Sequence, residues 1–119
     1  MWIEQIVNSY QKFPGGINFI FCSDDYLLQM HKKFLNKDTY TDILTFNYNA
    51  DQVISGDVFI SIDRVKENAE KYVQGLEEEL HRVMIHGILH LLGFEDTTTL
   101  LKKKMTALEN SALALLKRI

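Results

Sequence analysis

The sequence predicts an α+β fold, a small mixed sheet covered by about four to five helices. Three observations carry this. Segments with strand-like alternation are interleaved with segments of helical periodicity. Strands adjacent in sequence are joined by short, hairpin-like loops. The helical segments gather towards the C-terminus, an order that suits one sheet packed against helices.

Trp2, Ile3, Ile6, Val7 and Tyr10 recur at helical spacing, and Pro14-Gly15-Gly16 is expected to end that first helix. Ile17 to Cys22 alternates and is rich in β-formers, which predicts a strand. Ser23 or Asp24 can cap the next helix, which carries Tyr26, Leu27, Met30 and Phe34 and ends near Leu35-Asn36. A polar connection from Lys37 to Thr41 leads to a strand from Asp42 to Tyr48. After the loop Asn49-Ala50-Asp51 come Val53-Ile54 and, beyond Gly56-Asp57, Val58 to Ser61, two strands expected to form an antiparallel pair. Ser61 or Asp63 starts a helix through Val65, Ala69 and Tyr72 that should stop at Gly75. The helix from about Leu76 to Leu92 opens with Glu77, Glu78 and Glu79, which suit the positive end of its dipole. Its half from Val83 onward is apolar apart from two histidines and is expected to be buried on most sides. Thr97-Thr98-Thr99 can cap a last helix through Leu100, Leu101, Met105, Leu108 and Leu113.

Length and composition narrow the function classes. The 119 residues fit one domain, residues 1–119, and 46% apolar content supports a core. No apolar run approaches the roughly 18 residues of a membrane span, and the N-terminus lacks the layout of a signal peptide, so a cytoplasmic protein without membrane contact is expected. Cys22, the single cysteine, reads as a buried, inert thiol. A net charge of -3 argues against gripping nucleic acid by bulk electrostatics and leaves room only for a local cleft.

The stretch from His86 to Asp96 carries the chemistry. His86 and His90, four apart on a helix, lie on one face, where both imidazoles can reach one ion. Gly93 can end the helix in the left-handed conformation and carry Asp96 back under the same ion. This follows the metzincin pattern H-E-x-x-H-x-x-G-x-x-H with Gly87 in place of the glutamate base and Asp96 in place of the last histidine, a zincin-like metal helix without the part that makes a peptidase. Asp96 could instead cap the last helix, and Glu95 is its alternate as ligand. Two histidines and a carboxylate leave a position open for water. They suit zinc first and, as a facial triad, another divalent metal such as iron. His31, His81 and the run Lys102-Lys103-Lys104 read as solvated side chains. Asp42 either starts its strand or acts beside the metal helix.

With these residues in view, the chain resembles the YbeY family, bacterial endoribonucleases of ribosomal RNA maturation. His86-Gly87-Ile88-Leu89-His90-Leu91-Leu92-Gly93-Phe94 follows the family's H-G-x-L-H-L-x-G-[YF], including the unusual glycine, and Glu95-Asp96 stand where the family has D-H. Leu35-Asn36 with Thr41-Asp42-Ile43-Leu44-Thr45-Phe46 is similar to L-N…T-D-V-L-S-F, and Ser55 to Ser61 is similar to L-G-D-I-x-I-S. The resemblance implies a zinc-dependent hydrolase with the ion in a cleft beside the sheet, single-stranded RNA and precursor small-subunit ribosomal RNA as substrate, and the ribosome as partner. Two departures stand out. No arginine occurs in Lys37-Asp38-Thr39-Tyr40, with Lys37 as a weak substitute, and the chain starts inside the first helix where the family tends to begin with a strand.

The expected activity is therefore a metal-dependent endoribonuclease with His86, His90 and Asp96 holding the ion and acting through its water, and with Asp42 as an added catalytic candidate. A ribosome-assembly factor with a structural metal is the first alternative. A metallopeptidase is the second, disfavoured by Gly87.

Overall fold

The computed structural model describes residues 2–36 and 41–118. In chain order the elements are α1 (Trp2–Ser9), β1 (Phe13–Cys22), α2 (Asp24–Leu35), β2 (Ile43–Asn47), β3 (Val53–Ser61), α3 (Ile62–Lys71), α4 (Leu76–Leu91) and α5 (Thr99–Leu116). The sheet order is β1-β3-β2, with β1 parallel and β2 antiparallel to β3. The expected α+β class, mixed sheet and number of helices are all present.

Alternation along β3 decides the layers. Ile54, Val58 and Ile60 are buried on one face, and an α4 residue, Gly87, approaches that face at Val58 and Ile43. The other face carries Phe59 and Phe46, which stack edge-on with each other and, through Phe46, with Phe34 of α2. So α4 covers one face and α2 the other. Ile85, Ile88 and Leu89 of α4 are fully buried, and each such side chain contributes about 1.5–3 kcal/mol. Around them one core extends to Trp2, Ile6 and Val7 of α1 and to Met105, Ala112 and Leu113 of α5. The Trp2 indole N–H donates to the Ala112 carbonyl at 2.8 Å, which ties the chain's first helix to its last. Asn49 clamps the sheet to the end of α4, since its side-chain amide donates to the Leu91 carbonyl and accepts from the Ser55 N–H, each at 2.8 Å.

The caps follow the sequence closely. Ser23, Ser61 and Thr98 accept from the N–H groups of Tyr26, Arg64 and Leu101. Asn36 closes α2 in the left-handed conformation, φ 53°.

Several expectations are corrected. Pro14-Gly15-Gly16 does not separate helix from strand. The turn comes earlier, at Gln11 with φ 58°, and the three residues lie inside β1 at a register shift between Pro14 and Ile17. An edge strand tolerates proline because its missing N–H can face outward. Gly56-Asp57 likewise interrupts nothing, and Val53 to Ser61 is one strand. Helix α3 stops before Gly75. Val73 takes the left-handed position, φ 51°, with its N–H on the Glu70 carbonyl and that of Gln74 on Ala69, while Gly75 starts α4. Cys22 is half-buried rather than buried, with its thiol donating to the Ile60 carbonyl. Burial first, then the charges of Asp24 and Asp63, push its pKa up, so it stays a thiol. His81 is not a solvated side chain: it is half-buried with its ring edge-on to Trp2 at 5.6 Å. Lys102, Lys103 and Lys104 are exposed, as expected. The connection from Lys37 to Tyr40, with Lys37 itself, lies outside the described residues.

Candidate metal centre

Helix α4 presents His86 and His90 one turn apart, with their Nε2 atoms 2.9 Å from each other. The helix then stops as the glycine predicts. Gly93 has φ 102°, its N–H donates to the His90 carbonyl, and the Phe94 N–H donates to Leu89, each at 3.0 Å. That pair of bonds is a Schellman ending, open to glycine because it has no Cβ to clash. The reversal brings Asp96 back. Its Oδ2 lies 3.3 Å from His86 Nε2 and 3.8 Å from His90 Nε2. Thr98 takes the cap of α5, so the Asp96 carboxylate is not used for that purpose.

The chemistry of this triangle suits a cation. His86 Nδ1 sits 2.6 Å from Glu109 Oε2, and His90 Nδ1 sits 3.0 Å from the Phe94 carbonyl oxygen. Both partners are acceptors, which favours the proton on each Nδ1, so that in the neutral rings each Nε2 carries the lone pair. Two lone pairs and a carboxylate oxygen thus converge. A tetrahedral ion about 2.0–2.1 Å from each of three donors would hold them roughly 3.3 Å apart. The separations of 2.9, 3.3 and 3.8 Å bracket that distance. His86, His90 and Asp96 are also the group among the described residues whose ligand atoms lie close enough to share one ion.

Protons compete for the same lone pairs, which gives a pH dependence. Burial by itself lowers the His86 pKa, but the hydrogen bond and charge of Glu109, with the charges of Asp42 and Asp96, outweigh it and hold it above the ordinary value. Burial and the neighbouring His86 lower that of His90. A metal must displace the His86 proton first. Zinc affinity should therefore be full above the raised His86 pKa and fall as the pH drops through it, with one proton released per ion bound below that pKa and none above it. Release of a second proton should begin only at the lower pH where His90 titrates. Calorimetric zinc titrations in buffers of different ionisation enthalpy across that range measure both steps.

The triangle forms the floor of a cleft of about 520 Å³ that runs along β2, with Thr41 to Thr45 on one side and Gly93 to Asp96 on the other. Asp42 lines it, and at the start of β2 its carbonyl accepts from the Ser61 N–H. Burial raises the Asp42 pKa, against the lowering effect of His86. His31 corrects an expectation. It is 8% exposed and lines the cleft from α2, four residues after the buried Leu27. Lys and Arg are absent from the described lining, whereas Asp42, Glu95 and Asp96 are all acidic. Glu109 was not singled out from the sequence. An acid on the apolar stripe of α5 at helical spacing from Met105, Ala112 and Leu113 is the signal that could have found it. Arg82 completes the group, with Nη1 donating to Glu109 Oε1 at 2.9 Å and Nη2 to Asn110 Oδ1 at 2.8 Å.

A family model described as endoribonuclease YbeY matches residues 1–117. The chain belongs to the YbeY family. An endoribonuclease YbeY of Phocaeicola vulgatus is 50% identical over 115 residues, 97% of this chain and 83% of the relative. One of Cytophaga hutchinsonii is 49% identical over 117 residues, 98% of this chain and 82% of the relative. The solution structure of a Thermotoga maritima protein matches with a TM-score of 0.65 and 30% identity, covering 98% of this chain and 80% of that one. The resemblance drawn from three stretches of sequence is therefore correct. In the fold, Thr41 to Thr45 of one of these stretches and His86, His90 and Gly93 to Asp96 of another line the same cleft, and Ser55 to Ser61 belongs to the strand against which Gly87 packs.

Proposed function

We propose that this protein is a metal-dependent endoribonuclease specific for single-stranded RNA, acting in the cytoplasm on precursor small-subunit ribosomal RNA at the ribosome, with residues 1–119 working as one domain. The observation that carries the reading is the convergence of His86 Nε2, His90 Nε2 and Asp96 Oδ2 on the floor of an open cleft. Zinc is the ion of choice for two imidazoles and a carboxylate, and when bound it polarises a phosphoryl oxygen and lowers the pKa of a water.

The chain's own residues have distinct parts in this reading. His86, His90 and Asp96 would hold the ion, whose positive charge would offset the acidic Asp42, Glu95 and Asp96 of the described lining. Asp42 stands outside the ligand triangle. Burial makes it keep its proton to higher pH than an ordinary carboxyl does, a property that suits a proton donor to a leaving oxygen. Thr41 to Thr45 and Phe94 form walls against which unstacked bases can lie, which favours a single strand over a base-paired helix.

Removal and return of the metal test the reading. Protein stripped with a chelator should lose cleavage of single-stranded RNA, keep its helical circular dichroism, and recover activity with one equivalent of zinc. Double-stranded RNA of the same sequence should be cut poorly throughout. The core contains none of the three ligands, so unfolding of the stripped protein would favour a structural metal instead.

A further inference from the structure

We propose that Glu109, held by Arg82, is a positioning residue that fixes the tautomer of His86, and that the exact acceptor character of its carboxylate is what makes His86 able to bind metal. The inference rests on the metal-centre reading above and concerns residues outside the ligand triangle. Each carboxylate oxygen has one partner: Arg82 Nη1 at 2.9 Å on Oε1 and His86 Nδ1 at 2.6 Å on Oε2. Arg82 and His86 are themselves one turn apart on α4, so α5 inserts a single buried acid between two successive turns of the metal helix. Arg82 is anchored a second time, on Asn110, and the carboxylate cannot rotate away without losing that arrangement.

An unusual consequence follows for the isosteric change Glu109→Gln. Arginine can only donate, so Arg82 draws the glutamine oxygen and turns the glutamine NH₂ towards His86. A donor facing Nδ1 makes that nitrogen the acceptor and moves the proton to Nε2. There it is satisfied in the metal-free protein by His90 Nε2, 2.9 Å away. The metal would then have to displace a bonded proton. The mildest substitution in shape should thus be severe in effect, and removing the arginine as well should relieve it, because the freed glutamine can present its oxygen to Nδ1.

The test is zinc affinity by chelator competition for the wild type, Glu109→Gln, Glu109→Ala and the double variant Arg82→Met with Glu109→Gln. Nitrogen NMR of the His86 ring in the metal-free proteins, taken at a pH where it is neutral, reads the tautomer directly. Glu109→Gln should lose about 10–100-fold in affinity and show the Nε2-protonated ring, and the double variant should regain most of the affinity. Thermal melting of the metal-free forms checks that each is folded. If Glu109→Gln binds zinc like the wild type, or its His86 keeps the proton on Nδ1, or the double variant binds no better, the proposal is overturned. Failure of the wild type to bind zinc would overturn the metal-centre reading itself.

Discussion

His90→Ala should bind no zinc at equimolar concentration and should cleave single-stranded RNA at least about 10³-fold more slowly than the wild type, since a catalytic ion is worth several kcal/mol in the transition state and each 1.36 kcal/mol is tenfold in rate. His90 is half-buried and lies outside the apolar core, so the metal-free variant should melt close to the metal-free wild type. Asp96→Ala is the informative companion. It leaves both imidazoles but removes the third acceptor of the triangle, and it should weaken zinc binding and cleavage together. Metal content by mass spectrometry and cleavage of a labelled oligonucleotide measure both. Full metal in Asp96→Ala would remove it from the ligand set. Equal cleavage by His90→Ala and the wild type would show that the nuclease came from a contaminant.

Gly87→Glu, which rebuilds the peptidase pattern in sequence, should destroy the fold rather than create a peptidase. A Cβ at position 87 would stand 2.7 Å from Val58 Cγ1 and 2.8 Å from Ile43 Cδ1. Val58 is fully buried and branched at Cβ, so it cannot swing aside. Even Gly87→Ala, which gains about 1 kcal/mol of helix propensity, should be destabilised on balance, because overpacking costs roughly 1–3 kcal/mol. Its melting temperature should fall by several degrees. Glutamate adds a buried carboxylate in the same seam, for which desolvation is costly. At position 87 the packing against Val58 and Ile43 leaves no room for the glutamate that serves as base in the peptidase pattern. A soluble Gly87→Glu protein that melts like the wild type would contradict this packing account.

Legibility divided along a physical line. The metal helix, its glycine ending and the return of Asp96 were readable, because helical periodicity, a left-handed stop and ligand spacing are local properties of a few consecutive residues. Caps at Ser23, Ser61 and Thr98 were readable for the same reason. Pro14-Gly15-Gly16 was misread because propensity reports what a segment prefers alone, and an edge strand beside β3 overrides that preference through pairing. The end of α3 was misread because Val73 accepts a conformation that a β-branched residue disfavours, held there by the two backbone bonds that close the helix.

The sequence by itself determined the family, the α+β class, and the three residues whose side chains can share an ion, since all of these are written in short, ordered stretches. Only the tertiary structure decided which groups surround them. Glu109 reaches His86 across 23 residues of chain, His31 enters the cleft from the opposite face of the sheet, and Gly87 meets Val58 of a distant strand. None of these pairings leaves a trace in local spacing. They arise when burial of the apolar faces of α2, α4 and α5 fixes where those helices lie, and the polar groups on the same faces are carried in with them.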